Sequence, residues 1–504
     1  MATQTTLDGS PLPIPIAPGG YSLQAPTLRG TLTEMSAEES ATRSDGGLRE
    51  PQLQEALRGA DIFSVKLFEI DVASVTPEAA AETRAGGELR TEDGEPAMVL
   101  RTPDLGAETE QAVLYTDEAG VARWIFPRAA APVPGVPSRG GDGSVEFLLP
   151  LESAPLPPEA EAAPGTRGPF TKLGRRLVRV LAWATEDIIG KGAMAVASRW
   201  EEKNRPYGFL RVPLADAAPV SWGDLGRGRA LLFMHGTFSS AQGAFHLLPS
   251  ATLESLAEIY SGRIFAFDHP TMHQSPNENV EQFLRMLPPG ANLELDIVSH
   301  SRGGLVTREL SERLAEYDRQ GRDLRVRRAV FVATPHRGTI LADTEHGIKM
   351  LDRYTNLFTE LPDNLFTISV EALFMLAKLV YHGGVKALPG LRSMYPEGDY
   401  LRRLNAGANH QTRYYAMAAD FKPKGASLLS RFGWKVADAL VDDLFGEAND
   451  GVVPTRGVYE LESAATGFPI PAEQRVLLGR EDGVHHVNYF GNPRVGQQIV
   501  NWLK

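Results

Sequence analysis

The chain has 504 residues and 42% hydrophobic residues, enough for two or three domains with sizeable cores. Its formal net charge of -12 disfavours nucleic-acid binding, which normally requires a basic surplus or stripe. The absence of cysteine excludes disulfides, thiolate metal sites and a cysteine nucleophile, and leaves serine, threonine or carboxylate chemistry.

The first segment, residues 1–50, is polar and interrupted by proline and glycine, so we expect it to be extended or mobile. It has no early basic cluster and is not typical of a signal peptide, which favours a cytoplasmic location. No stretch of the sequence reaches the ~20 uncharged apolar residues that a bilayer span requires.

A β-rich accessory domain is predicted over residues 51–152, because short apolar runs alternate there with Gly, Asp and Pro turns. The runs are residues 62–70, 97–100, 112–115, 121–126 and 145–149. Asp117–Gly120 is typical of a hairpin turn. The composition fits a structural accessory domain, a carbohydrate-binding module or a module that binds a protein partner.

Residues 153–170 are rich in Pro, Ala and Glu, which indicates a linker. We predict a helical connector over residues 171–228, with a basic amphipathic helix from Leu173 to Trp200. Such a helix packs on its own domain or lies on an anionic membrane surface, so this N-terminal region is also a candidate for peripheral membrane contact.

From residue 229 to 504, apolar strand-like runs alternate with helical patterns. The predicted strands are residues 230–234, 263–267, 293–298, 328–333, 413–418 and 475–478. Their largely apolar composition indicates strands covered on both faces, and hence a doubly wound, mainly parallel sheet of the α/β class. Functional side chains should gather at the carboxyl ends of these strands.

Ser301 is the candidate nucleophile, because Ser299-His300-Ser301-Arg302-Gly303 joins a predicted strand to a predicted helix. A serine hydroxyl attacks well only when the backbone projects it toward both a base and an oxyanion site. Ser299 is the rival nucleophile, but it belongs to the strand rather than to the turn.

Three further strand ends supply the other parts of a serine-hydrolase site. The glycine turn after His235 offers the Thr237 N–H, and the turn after the nucleophile offers the Arg302 N–H, as donors for an oxyanion. Asp450 lies on a glycine turn and suits an acid that orients a histidine, with Asp420 as its rival. His485 and His486 follow the last strand, and either could serve as the base.

These segments resemble the α/β-hydrolase superfamily, and within it the lipase-like serine hydrolases related to glycosylphosphatidylinositol-inositol deacylases and lecithin-cholesterol acyltransferases. The resemblance covers residues 229–504, and its motifs are His235–Thr237, Ser299–Gly304, Thr334–Thr339, Asn449–Pro454 and His486–Val495. It implies an acyl-enzyme on Ser301, activated by a histidine that Asp450 orients. The resemblance also favours His486 over His485 as the base.

The predicted activity is hydrolysis of a small-molecule or lipid carboxylic ester, without cofactor or metal. His269 and His273 have the spacing of a metal pair, but they lie in a predicted loop, and no metal site is predicted there. An apolar insertion over residues 340–412 is a candidate lid, although core helices have the same pattern. An amidase or peptidase would use the same side chains, and a hydrolase fold acting as a partner-regulated effector module is the other hypothesis.

Overall fold

The structure is a computed structural model of the chain. It describes residues 4–36, 50–75, 89–91, 96–118, 120–128, 143–151, 174–185, 191–213, 220, 228–318, 321–343, 346–358, 363–408, 410–421, 446–462 and 465–504. The chain forms two compact units. Of the described residues, the first unit contains those within 1–192 and 351–382, and the second contains those within 193–350, 383–422 and 439–504.

The first unit is β-rich, and its described strands form two antiparallel sheets around a shared apolar core. The six-stranded sheet has the order β1-β4-β5-β10-β7-β8, and the four-stranded sheet has the order β2-β3-β6-β9. The strands are β1 (Gln4–Asp8), β2 (Ile14–Ala17), β3 (Tyr21–Gln24), β4 (Leu28–Glu34), β5 (Phe63–Val75), β6 (Ala97–Pro103), β7 (Thr109–Thr116), β8 (Ala122–Ile125), β9 (Ser144–Pro150) and β10 (Gly174–Ala184).

All five strands predicted between residues 51 and 152 are present in this unit, and β7 and β8 form the predicted hairpin. The expectation of an extended or mobile N-terminus is corrected by β1–β4, which pair within the two sheets. Those strands are short and contain polar residues, because one face of an antiparallel sheet can remain in water.

The predicted helix from Leu173 to Trp200 is wrong in its first half, where β10 pairs with both β5 and β7. Arg176 and Arg179 are buried in this central strand and form ion pairs with Glu118 and Glu50. These arginines can occupy core-facing positions because each is paired with a glutamate. In the sequence, their spacing is the same as that of charged residues on one face of a helix. Their burial also removes them from the basic surface proposed for membrane contact. Lys172, a further basic residue next to the start of the predicted helix, is outside the described residues.

Helical residues also belong to the first unit. Its helices are Glu50–Gly59, Asp363–Tyr381 and the part of Gly347–Phe358 from residue 351 onward. The last two come from the predicted lid insertion over residues 340–412. Asn356 exchanges two hydrogen bonds with the backbone of Ala122, and the Lys378 ammonium donates to the Ala60 carbonyl at 3.0 Å. The described residues of the first unit therefore include helices inserted from the second half of the chain, which are hydrogen-bonded to its N-terminal part.

The second unit is built on a seven-stranded sheet among the described residues, with the order β11-β13-β12-β14-β15-β16-β17. Its strands are β11 (Gly208–Arg211), β12 (Gly228–Met234), β13 (Ile264–Asp268), β14 (Asn292–His300), β15 (Asp323–Val332), β16 (Arg413–Ala419) and β17 (Arg475–Leu478). β12 to β17 run parallel, and β11 pairs antiparallel with β13. The predicted α/β class and the six predicted strands agree with this sheet, and β11 is an addition.

Both faces of this sheet are covered, because alternate residues of a strand contribute to different apolar clusters. In β12, Leu231 and Phe233 belong to one cluster, whereas Leu232 and Met234 belong to the other. The helices of this unit are Ala193–Asn204, Ala241–Phe245, Ser250–Tyr260, Pro276–Met286, Gly303–Glu312, Leu314–Tyr317, Pro389–Arg392, Asp399–Asn405 and Pro493–Leu503, with the start of Gly347–Phe358. Every helix among the described residues is too short or too polar to span a bilayer.

Candidate active site

Ser301 lies on a strained turn between β14 and the helix Gly303–Glu312. Its φ of 53° is in the left-handed region that non-glycine residues rarely adopt. Backbone hydrogen bonds hold this conformation: the Ser301 N–H donates to the Val332 carbonyl at 2.9 Å, and the Ser301 carbonyl accepts the Gly304 N–H at 3.0 Å. The predicted strand–turn–helix setting of Ser301 is therefore present.

The turn packs tightly against the end of β12, and glycine makes this approach feasible. A Cβ atom on Gly236 would lie 2.6 Å from the Ser301 Cβ, and one on Gly303 would lie 2.5 Å from the Met234 and His235 carbonyl oxygens. Either distance is far below van der Waals contact. The two glycines therefore bring the His235–Thr237 turn directly against Ser301.

His486 lies between Ser301 and Asp450 and is within hydrogen-bond distance of both. Its Nε2 is 3.0 Å from the Ser301 Oγ, and its Nδ1 is 2.9 Å from the Asp450 Oδ2. With the proton on Nδ1, this ring donates to the carboxylate and accepts from the hydroxyl. The three residues come from separate strand ends and are all buried.

Asp450 is held as an anion by its own turn. The N–H groups of Val452 and Val453 donate to Oδ1 at 3.0 and 2.8 Å, and the Tyr489 hydroxyl donates to Oδ2 at 3.1 Å. Burial alone would raise the pKa of this carboxyl, but His486 and these N–H donors lower it below its ordinary value. Asp450 therefore remains ionised at neutral pH, as a group that stabilises an imidazolium must.

The backbone of His486 is fixed at both of its polar groups. Its N–H donates to the Asp450 carbonyl at 3.0 Å, and its carbonyl accepts a hydrogen bond from the His300 Nε2 at 2.8 Å. Burial lowers the pKa of His300 to about 3, so this ring is neutral and can keep its proton on Nε2. The sequence prediction assigned no role to His300 or to Tyr489, because each contacts a residue far away in the sequence.

The rival residues occupy other environments. His485 packs against Phe421 with ring centroids 5.2 Å apart, and burial lowers its pKa to about 4. Asp420 accepts a hydrogen bond from the Arg480 Nε at 2.7 Å, at the surface. Ser299 is fully buried in β14 and donates to the Val330 carbonyl at 3.2 Å. None of these contacts joins a rival to the site around Ser301.

The predicted oxyanion donors, the N–H groups of Thr237 and Arg302, flank Ser301. Neither N–H is bonded to a backbone carbonyl in the part of the chain that the structure describes. The Gly236 carbonyl accepts a hydrogen bond from the His235 Nδ1 at 3.0 Å. Since the carbonyl and N–H of a trans peptide point in opposite directions, this bond fixes the direction of the Thr237 N–H.

The Arg302 side chain has a structural role that its sequence position did not reveal. Its buried guanidinium donates to the carbonyls of Gly390, at 3.1 Å, and Gln274, and to the Asn279 Oδ1 at 3.0 Å. Burial lowers the pKa of this group to about 10, which leaves it charged at neutral pH. Arg302 therefore ties the helix Pro389–Arg392, the helix Pro276–Met286 and the loop that precedes the latter to the turn that carries Ser301.

His269 and His273, which have the spacing of a metal pair in the sequence, contact other side chains. His269 stacks on His235 with centroids 4.1 Å apart, and the His273 Nδ1 donates to Glu201 at 2.7 Å. In the described residues, no group of three or more histidine and acidic side chains is arranged to hold a metal ion.

The fold and this geometry define an α/β protein with a serine, a histidine and an aspartate in one hydrogen-bonded series. Residues 202–504 match the model of a family described as a domain of unknown function, DUF7379. The match spans more than half of the chain, and the chain belongs to this family. The search of curated proteins returned no match.

Several solved structures are similar to the chain at low identity. They include the mature lipase BlEst2 of Bacillus licheniformis, with 19% identity, 55% of this chain and 91% of that chain covered, and a TM-score of 0.34. Lipase 1 of Pelosinus fermentans has 13% identity, coverages of 55% and 97%, and a TM-score of 0.36. Phospholipase PlaB of Legionella pneumophila has 13% identity, coverages of 46% and 45%, and a TM-score of 0.30, so the alignment spans less than half of that protein.

Proposed function

We propose that the protein is a serine hydrolase that cleaves carboxylic esters through an acyl-enzyme on Ser301. The observation that supports this proposal best is the continuous series from the Ser301 Oγ to the His486 Nε2, at 3.0 Å, and from the His486 Nδ1 to the Asp450 Oδ2, at 2.9 Å. The left-handed backbone at Ser301 supports it independently, because strain of this kind is concentrated at functional sites.

In the proposed reaction, the Ser301 Oγ attacks the ester carbonyl carbon while the His486 Nε2 takes the hydroxyl proton. The carbonyl oxygen becomes an oxyanion that the Thr237 and Arg302 N–H groups stabilise, each by about 3 kcal/mol. Collapse of this intermediate expels the alkoxide, which receives the proton from His486. Water then attacks the acyl-enzyme by the same steps, which releases the acid and restores Ser301.

Asp450 contributes by keeping the His486 proton on Nδ1 and by stabilising the imidazolium that forms in each half-reaction. Its turn donors and Tyr489 keep the carboxylate ionised without presenting it to solvent. The sequence resemblance to lipase-like hydrolases makes acyl esters of lipids the first substrate class to assay, beside small-molecule esters.

A fluorophosphonate probe tests the nucleophile. We expect the wild type to be labelled, Ser301→Ala to be unlabelled, and Ser299→Ala to be labelled like the wild type because its hydroxyl is buried in β14. Ester hydrolysis with acyl chains of increasing length then defines the substrate class. Equal labelling of Ser301→Ala and wild type would overturn the proposal.

The same probe separates the two histidines. His486→Ala should abolish labelling and hydrolysis, whereas His485→Ala should retain both, since only His486 lies beside the Ser301 hydroxyl. The opposite result would transfer the role of base to His485.

A further inference from the structure

Glu201 is a fully buried carboxylate outside the proposed series, on the helix Ala193–Asn204. Its oxygens accept hydrogen bonds from three consecutive backbone N–H groups, those of Thr271, Met272 and His273, at 2.6, 2.9 and 2.8 Å. The Nδ1 of His273 adds a fourth donor at 2.7 Å. A buried charge is tolerated only when its lone pairs are filled in this way. The carboxylate therefore fixes the conformation of the loop that follows β13.

That loop contacts the oxyanion turn through the Thr271 hydroxyl. The Thr271 hydroxyl donates to Glu201 at 3.3 Å, and the same oxygen accepts a hydrogen bond from the Phe238 N–H at 3.3 Å. Phe238 has a φ of 58°, which a bulky side chain adopts only when its surroundings impose it. This contact fixes the peptide that joins Thr237 to Phe238.

The same loop also controls the peptide on the other side of Thr237. The His269 N–H donates to the His235 Nε2 at 3.2 Å, which requires the proton of the neutral His235 ring to be on Nδ1. That proton is donated to the Gly236 carbonyl at 3.0 Å. Both peptides that flank Thr237 are therefore held by bonds that begin in the Glu201-bound loop.

We propose that Glu201 is a positioning residue for the oxyanion turn, acting through the loop His269–His273 on the direction of the Thr237 N–H. This inference rests on the proposed function, because it assigns the Thr237 N–H to an oxyanion. Glu201 itself contacts neither the substrate nor the reacting atoms. Its effect should appear in stabilisation of the transition state rather than in substrate binding, because an oxyanion forms only after attack.

The variant Glu201→Gln tests the carboxylate. Its amide NH2 group would replace one carboxylate oxygen and would face N–H groups of the loop, so hydrogen bonds to that oxygen would be lost. We expect kcat for an ester substrate to fall about 10- to 100-fold, with KM within about twofold of the wild type. Affinity for a trifluoromethyl ketone, which forms an oxyanion when Ser301 adds to it, should fall by a similar factor.

A matched control is Glu312→Gln, which removes another buried carboxylate of the same unit, bound by Arg308 and Tyr414. It should lower the melting temperature but leave the ratio of ketone affinity to KM unchanged. A second variant, Thr271→Val, keeps the loop N–H bonds to Glu201 and removes only the hydroxyl between Glu201 and Phe238. Thr271→Val should lower kcat about tenfold. If Glu201→Gln does not fold, this variant alone tests the link between Glu201 and the oxyanion turn.

The outcomes separate this inference from the proposed function. Absence of fluorophosphonate labelling in the wild type, or labelling of Ser301→Ala, refutes the proposed function. Labelled wild type with unchanged kcat in Thr271→Val and in folded Glu201→Gln overturns only the role of Glu201. A loss confined to KM, or an equal loss of ketone affinity in Glu312→Gln, also overturns it.

Discussion

Replacing Asp450 by asparagine tests the proposed series at the atom that orients the base. Asp450 Oδ1 accepts two N–H groups, from Val452 and Val453, whereas Oδ2 faces the His486 Nδ1 and the Tyr489 hydroxyl. In Asp450→Asn, the amide oxygen must stay toward the two N–H donors, because the amide nitrogen has no acceptor there. The new NH2 group is then forced to face the His486 Nδ1.

This orientation reverses the tautomer of His486. An Nδ1 that accepts from the asparagine amide leaves the ring proton on Nε2, which faces the Ser301 Oγ at 3.0 Å. Such a ring donates to the hydroxyl and cannot take its proton. We expect kcat to fall about 10⁴-fold, which corresponds to about 5.5 kcal/mol in the activation free energy. The two turn bonds survive, so the free energy of unfolding should change by only about 1 kcal/mol.

The assay is the initial rate of p-nitrophenyl ester hydrolysis over a range of substrate concentrations, with unfolding in urea measured alongside. Asp420→Asn is the matched control, because its carboxylate faces Arg480 at the surface, where such a pair contributes at most about 1 kcal/mol. It should keep kcat within about twofold of the wild type. Retention of more than about a tenth of the wild-type kcat by Asp450→Asn, or loss of activity in Asp420→Asn instead, would contradict this prediction.

Three further predictions concern pH, the Ser301 turn and the first unit. The pKa values of His300 and His485, about 3 and about 4, lie below the unfolded value of about 6.5, so the unfolded state binds more protons below that pH. Acidification from about pH 7 to about pH 5 should cost about 2 kcal/mol of stability for each ring. The midpoint of urea unfolding measures this, and an unchanged midpoint would contradict it. Gly236→Ala should lower kcat about 100-fold, because the added Cβ would lie 2.6 Å from the Ser301 Cβ and displace the nucleophile. Steady-state ester hydrolysis measures this, and a wild-type kcat would show that the turn does not need glycine there. Trp124→Ala removes a buried indole that packs against an inserted helix and should lower the free energy of unfolding by about 3–5 kcal/mol, whereas a loss below about 1 kcal/mol would count against that packing.

Local pattern was sufficient for the sheet of the second unit and for the setting of Ser301. Strands that are buried on both faces have continuous apolar sequences, which makes them easy to recognise. Ser301 was predicted from its neighbours alone, because a turn of small residues lies there between an apolar run and a segment with helical periodicity. Local pattern gave a wrong prediction for residues 174–184, where the spacing of buried arginines resembles the polar face of a helix. Their burial depends on Glu50 and Glu118, which are distant in the sequence.

The amino-acid pattern was therefore sufficient to predict the α/β class, the strand ends and a short set of candidate residues. The folded structure shows which candidates lie side by side: His486 rather than His485 is beside Ser301, and Asp450 rather than Asp420 is beside His486. The structure also revealed the contacts of Glu201, a residue that lies outside every motif recognised in the sequence. The physical reason is that hydrogen bonds act over about 3 Å between residues separated by many positions in the chain, and only folding brings those residues together.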